Sequence, residues 1–273
     1  METTIKKLYE SIKKRRIIPL FALLLLLSTN SQAYATKVKE SAVLFTDYTD
    51  DLVLADAPWR IEPGEMIPLY LMIKGAKGDL AHNLTNVYVY DLNNNHNSVK
   101  IYDKNGNQIG NNLGGELPKL IDQELWTRIV YVKTNELTLK TFLDIYNLSV
   151  VLQGEHPFKP DILGLPWNFT LPIPHNVEDT LVVSFKNVSL PSLGGNWFCG
   201  DGHYHTSYSD NFVEVGATVN ATIIAGKAQG LDWVALTDHS FDFDSENERS
   251  KWAQILQECK NQNSLNPDFK CLN

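Results

Sequence analysis

Trp197-Phe198-Cys199-Gly200-Asp201-Gly202-His203-Tyr204-His205-Thr206-Ser207-Tyr208-Ser209-Asp210 is the stretch on which the reading of this chain turns. Its first part, Trp197–Thr206, reads as a strand. Ala217, Ala221, Ile224, Ala225 and Ala228 then recur at helical spacing, and Gly230 follows as a C-cap. Trp233–Thr237 is a compact buried strand that ends in Thr237-Asp238-His239. Ser245 and Glu248 make a capping box, and Trp252, Ile255, Leu256 and Cys259 form one apolar helical face. Strand, helix, strand, helix implies parallel strands joined by crossover helices.

That order places chemistry at one rim. Side chains alternate along a strand, so Asp201, His203 and His205 are expected on the same face. Two imidazoles side by side at a strand's end can grip one divalent ion. Asp210 lies just beyond, in the loop entering the helix, where its carboxylate can swing back. In parallel α/β architectures the strand C-termini share one rim, so Thr237-Asp238-His239 converges on the same place.

Gly200–Asp210 and Val234–His239, separated by one helix, resemble the first and second motifs of the PHP domain, the metal-dependent phosphoesterase barrel named after polymerase and histidinol phosphatase. The frame runs from Trp197 through His239 and resembles in particular the exported metallohydrolase branch typified by carbaryl hydrolase. An HxH or a TDH triplet alone occurs by chance, whereas HxHT, then SD, one helix, and TDH in that order is specific. The resemblance implies that His203, His205, Asp210 and His239 are metal ligands. It implies that Asp201 and Asp238 orient imidazoles through hydrogen bonds. The cofactors it implies are two or three divalent ions, zinc, manganese or iron, and the reaction is hydrolysis by metal-activated water. The substrate is a small-molecule phosphoester or, in the carbaryl-like branch, another ester or carbamate.

Each residue also has a plainer reading. A single His such as His239 is commonly a hydrogen-bonded structural residue. Ser209 and Asp210 are good helix caps. Asp242, Asp244 and Glu246 read as a solvated loop, since the calcium-binding EF-hand pattern is absent. Tyr204 and Tyr208 could shape a substrate pocket but are expected to serve packing.

Upstream, residues 37–190 read as all-β. Candidate strands are Ile67–Ile73, Val87–Leu92, Val99–Tyr102, Trp126–Lys133, Ile145–Leu152 and Leu181–Phe185, broken by Asn/Gly/Pro turns. In Val87-Tyr88-Val89-Tyr90 the pattern leaves the buried face open. His82, His96, His156 and His175 lack metal-ligand spacing and are expected on the surface or in loops. Trp126 and Trp167 could line a groove but are expected in a core. Pro191 and Gly194-Gly195 mark a boundary near 189–196.

The first 35 residues read as an export signal. Lys13 to Arg16 are basic, Ile17 to Leu27 is an apolar run, and Ala33-Tyr34-Ala35 is a cleavage pattern. The run is shorter than the roughly 20 apolar residues that span a bilayer, and the alternative, which the long stretch before it keeps open, is an uncleaved N-terminal anchor. The expected destination is the periplasm or the medium, with no stable membrane span after cleavage. The remaining chain carries 18 basic and 30 acidic residues, a net charge of −12. Such a body repels nucleic acid and anionic membranes. Of three cysteines, Cys259 and Cys271 can pair across a short loop, and Cys199 is expected free.

The expected fold class is therefore mixed: an N-terminal all-β sandwich followed by the first βαβα part of an incomplete PHP-type α/β barrel. The expected divisions are a signal peptide at 1–35, a β-sandwich-like domain at 37–190 and the N-terminal part of a PHP domain at 196–273. Phe269–Asn273 reads as the start of a third strand. A barrel truncated after two motifs lacks ligands, so the chain is expected to be inactive by itself, with a second chain as the partner that completes it. The alternative is a non-catalytic exported β-sandwich binding protein with a vestigial PHP stub.

Overall fold

A computed structural model of the chain describes residues 52–64, 66–78, 81–141, 143–158, 171–185, 190, 197–209, 216–243 and 249–273. The expected export signal, Trp167, most of the boundary at 189–196, Asp210, Asp244, Glu246 and the Ser245–Glu248 capping pair lie outside these residues, as do the side chains of His156, His175 and Asp242. The described residues from 52 to 157 and from 172 to 273 belong to one compact unit.

The strand β3 (Met66–Ala76) organises this unit. Its core sequence, Ile67-Pro68-Leu69-Tyr70-Leu71-Met72-Ile73, is buried on both faces. A strand buried on both faces reads as a continuous apolar run, not an alternation. Strand β1 (Leu52–Asp56) pairs antiparallel on one side of β3 and β7 (Gln123–Lys133) on the other. Ile67, Leu69 and Ile73 stand opposite Val132, Val130 and Trp126. All six belong to one apolar core.

The second sheet closes that core from the other side. It contains β2 (Arg60–Ile61), β9 (Leu171–Phe185), β8 (Ile145–Phe158), β4 (His82–Asp91) and β5 (Asn97–Val99) in that order, and β6 (Lys119–Ile121) pairs with β4. Val87 and Val89 turn inward with Leu148, Val150, Leu152 and Val183. Tyr88 and Tyr90 take the other face and stack with ring centroids 6.3 Å apart. Each fully buried Val, Leu or Ile contributes about 1.5–3 kcal/mol relative to exposure, so this face-to-face layer is the main source of stability. Trp126 fills the core, as expected, while His82 is buried and not on the surface. The reason is its register: His82 pairs with Ile121 of β6 at the covered end of β4.

The opposite face of β3 explains its double burial. Tyr70 and Met72 pack against Ala221 and Ala217 of the helix α1 (Val219–Ala228) and its entry. Thr218 caps α1 by accepting a hydrogen bond from Ala221 N. The helix ends at Gln229, and Gly230 then takes φ +81°, the left-handed conformation that glycine adopts without a Cβ penalty. Glu62 N donates to the Ala228 carbonyl at 3.0 Å, which ties the chain after β2 to the end of α1.

Beyond α1 lies a small parallel sheet, β10 (Gly200–Tyr204), β11 (Trp233–Leu236) and β12 (Lys270–Leu272), with β11 central. The helix α2 (Arg249–Leu265) crosses from β11 to β12. Val219, Ile223, Val234, Leu236, Ile255 and Phe269 form its core. A disulfide joins Cys259 of α2 to Cys271 of β12, and Cys199 is half-buried and outside that bond. No helix among the described residues is long and apolar enough to cross a membrane.

The expected fold class is corrected by this architecture. Strand accounts for 47% of the structure and helix for 20%, with two α-helices among the described residues, so the fold is sheet-rich and does not fit a portion of a PHP-type α/β barrel. The alternation of strand and helix after residue 197 is real, but its role is different. In an α/β barrel every helix lies on the outside of a closed parallel ring. Here α1 is covered on its far side by the antiparallel β1-β3-β7 sheet through Tyr70 and Met72. The parallel strands form an open three-stranded sheet that is a minor layer of a β-dominated molecule.

Candidate metal centre

β10 and β11 run parallel and end at the same rim. Their pairing is irregular: Asp201 faces Val234 and Tyr204 faces Leu236, so three steps on one strand match two on the other. A bulge of this kind re-aims side chains and breaks strict alternation. The expectation that Asp201, His203 and His205 share a face through simple alternation is therefore replaced by a local bend.

The bend brings three imidazoles together. The His203 and His205 ring centroids are 4.8 Å apart. His205 and His239 are closer, at 4.3 Å, with rings edge to face. His203 is exposed, His205 and His239 are half-buried, and His205 Nε2 is shielded from solvent. The cluster thus has an open side at His203 and a closed side at His205.

His203 Nδ1 lies 3.1 Å from Thr237 Oγ1, and that hydroxyl can donate to the Tyr204 carbonyl at 3.4 Å. With the hydroxyl proton on the carbonyl, Nδ1–H donates to Thr237 and the lone pair sits on Nε2. In that tautomer Nε2 is the nitrogen open to a metal. The sequence reading gave Thr237 no role; its signal was its place beside Asp238 at the strand end.

The Asp238 carboxylate holds the loop that follows β10. Its Oδ1 accepts from Thr206 N at 2.7 Å, Ser209 N at 3.1 Å and Ser209 Oγ at 2.9 Å. Its Oδ2 accepts from Thr206 Oγ1 at 2.9 Å. Thr206 and Ser209 are fully buried. A carboxylate collecting four donors is a strong local tie, since hydrogen bonds to charged groups are worth about twice neutral ones. It pins the loop after β10 onto the end of β11, and Ser209 Oγ also receives His239 N at 3.4 Å. Asp238 therefore positions the histidines through the backbone.

Asp201 is likewise local: its Oδ1 accepts from His203 N at 3.0 Å. Gly216 closes the loop from the other side. A Cβ there would lie 2.0 Å from the His205 carbonyl oxygen, so only glycine allows this approach. Tyr208 donates to Glu258 of α2 at 2.7 Å, and burial, followed by that carboxylate, pushes its phenol well above the usual range. Burial also raises the Tyr204 phenol. Both tyrosines pack against the core of the parallel sheet, and Tyr204 also lines a cavity beside α1.

Of the expected ligands, the structure brings His203, His205 and His239 together, and Asp210 lies outside the described residues. Among the described residues no group of three or more His, Cys, Asp or Glu side chains is already set out to hold an ion. The donor chemistry nevertheless fits: three imidazoles at one rim suit zinc and related divalent ions.

No protein-family model matches the chain, and no curated protein matches it. One solved structure similar to part of the chain is described as "The Bacillus anthracis TIE protein", at 11% identity and a TM-score of 0.25. That similarity covers 65% of this chain, which spans 30% of the other chain's length.

Proposed function

We propose that this chain is an exported metal-dependent hydrolase whose centre is built on His203, His205 and His239, with Asp210 as a further ligand. The observation that carries the reading is the gathering of three imidazole rings, 4.3–4.8 Å apart, at the ends of two adjacent parallel strands. The ordered HxHT, SD and TDH motifs support it at the level of the ligand pattern, independently of any barrel. Zinc, manganese or iron is the ion class. Such an ion supplies Lewis acidity that makes water a nucleophile near neutral pH. The protein's own part is positional: Thr237 sets the His203 tautomer, and Asp238 clamps the loop that carries His205. The open side at His203 admits a small phosphoester or related ester. The Cys259–Cys271 disulfide supports an oxidising, extracytoplasmic destination.

The test is calorimetric titration of the metal-stripped 273-residue chain with zinc and with manganese, paired with hydrolysis of p-nitrophenyl phosphate and 1-naphthyl acetate. Saturable binding is expected, weakened by about tenfold or more in His203→Ala and in His239→Ala; turnover that requires the ion is proposed in place of the inactivity expected of a truncated barrel, because the fold is not a portion of one. Failure to bind either ion would overturn the centre and favour a non-catalytic β-sandwich binding protein. Binding without turnover would keep the centre and reject the hydrolase.

A further inference from the structure

A cavity of about 260 Å³ lies between the outer face of β3 and the helix α1. It is separate from the imidazole cluster and has a different chemistry. Asp56, at the end of β1, and Trp59 line it together with Tyr70, Tyr204, Ala221 and Ile224. Two features select a class of ligand. The walls are aromatic and aliphatic, yet they carry a carboxylate, and none of the lining residues is Lys or Arg. Arg60, the next cation along the chain, is turned to the Gln229 carbonyl and to Glu62.

The negative charge at this place is doubled. Asp179 lies beside Asp56 and accepts from Ala55 N at 2.6 Å. Asp56 is exposed at the rim of the cavity, and partial desolvation by its neighbours lifts its carboxyl above the usual range; the Ala57 N–H opposes this and the charge of Asp179 adds to it. Burial raises the Tyr70 phenol, to about 12, so it offers a neutral aromatic ring, and the Tyr204 ring lines the same cavity. Trp59 is 67% exposed at the cavity's edge, where a bound molecule would cover it. A cation with an apolar body satisfies all of these at once. It pairs with the carboxylate, relieves the repulsion between the two aspartates, and gains cation–π attraction from rings within about 6 Å. The volume is below the roughly 300–1,000 Å³ of drug-sized pockets, so the ligand must be compact.

We propose that this cavity binds a compact organic ammonium ion, its charge against Asp56 and its alkyl groups against Trp59, Tyr70 and Tyr204. The inference does not depend on the metal centre.

The experiment compares choline with its uncharged isostere 3,3-dimethylbutan-1-ol, by calorimetry on the full chain. Choline is expected to bind in the millimolar range or tighter. The isostere should bind about tenfold or more weakly, and Asp56→Asn and Trp59→Ala should each lower choline affinity by about tenfold. Circular dichroism confirms that both variants are folded, and the isostere comparison needs no variant. Equal binding of the isostere, unchanged affinity in Asp56→Asn, or no choline binding up to about 10 mM would each overturn the proposal.

Discussion

Replacing Asp238 with alanine removes the acceptor that holds the loop after β10. The carboxylate takes two backbone N–H groups, from Thr206 and Ser209, and the hydroxyls of the same two residues. Thr206 and Ser209 are both fully buried, so their N–H groups have little access to water. Ser209 N also donates to the Thr206 carbonyl at 3.0 Å and keeps that partner, and the hydroxyls can rotate, so the donor left behind is Thr206 N. A buried donor left without a partner costs about 1–3 kcal/mol, which is the expected loss, with about 2 kcal/mol as the central value. At 2–4 °C per kcal/mol for a protein of this size, the central value is a fall in Tm of roughly 4–8 °C. Asp238→Asn keeps a carbonyl oxygen for the two N–H groups and is expected to lose about 1 kcal/mol or less, mainly the charge assistance. The assay is urea unfolding and a thermal melt of the three proteins, with zinc titration alongside. Because the loop carries His205 and receives His239 N at Ser209, the alanine variant should also weaken zinc binding, and the asparagine variant much less. A melting point for Asp238→Ala within about 1 °C of the parent would refute the reasoning that this carboxylate clamps the rim.

Two further outcomes follow from the described geometry. Reduction of the Cys259–Cys271 disulfide, which closes a short loop between α2 and β12, should lower stability by about 3 kcal/mol; a melt with and without reductant, repeated on Cys259→Ser/Cys271→Ser, checks this, and no shift on reduction would contradict it. Asp103 is held below the usual carboxylate range by the Asn107 side chain and by the backbone N–H groups of Asn107, Asn105 and Gly106. A lowered folded value means the contribution is present above the unfolded pKa and is lost as pH falls through the folded one. Stability measured from about pH 5 down to pH 2 should therefore fall less steeply in Asp103→Asn than in the parent.

Much of the secondary structure was legible because it depends on near neighbours. The β-branched runs at Ile67–Ile73, Trp126–Lys133 and Ile145–Leu152 fall within β3, β7 and β8. The alanine-spaced stretch before Gly230 is α1, ended by the left-handed glycine as its pattern requires. The histidines of the candidate site were legible as types and spacings, and their convergence followed from parallel strands ending at one rim. Less visible were the partners of Asp238. A carboxylate beside two hydroxyl residues about thirty positions upstream has no local signature, since hydrogen bonds of that sequence separation form only when β10 and β11 pair. The bulge in β10 was hidden for the same reason: a register slip exists only relative to a neighbour.

By itself, then, the amino-acid sequence determined which segments extend, which coil, where one helix stops, and which side chains could donate to a metal. These are consequences of backbone sterics and apolar period, which act over a few residues. The tertiary structure alone decided that β3 is buried on both sides, that α1 packs against the outer face of that sheet, that His82 is interior, and that the molecule is sheet-dominated. A continuous apolar run states that two faces need cover but does not name the covering element. That choice is made by long-range packing, in which Tyr70 and Met72 meet Ala217 and Ala221 across some 150 residues of chain, a distance over which no local pattern carries information.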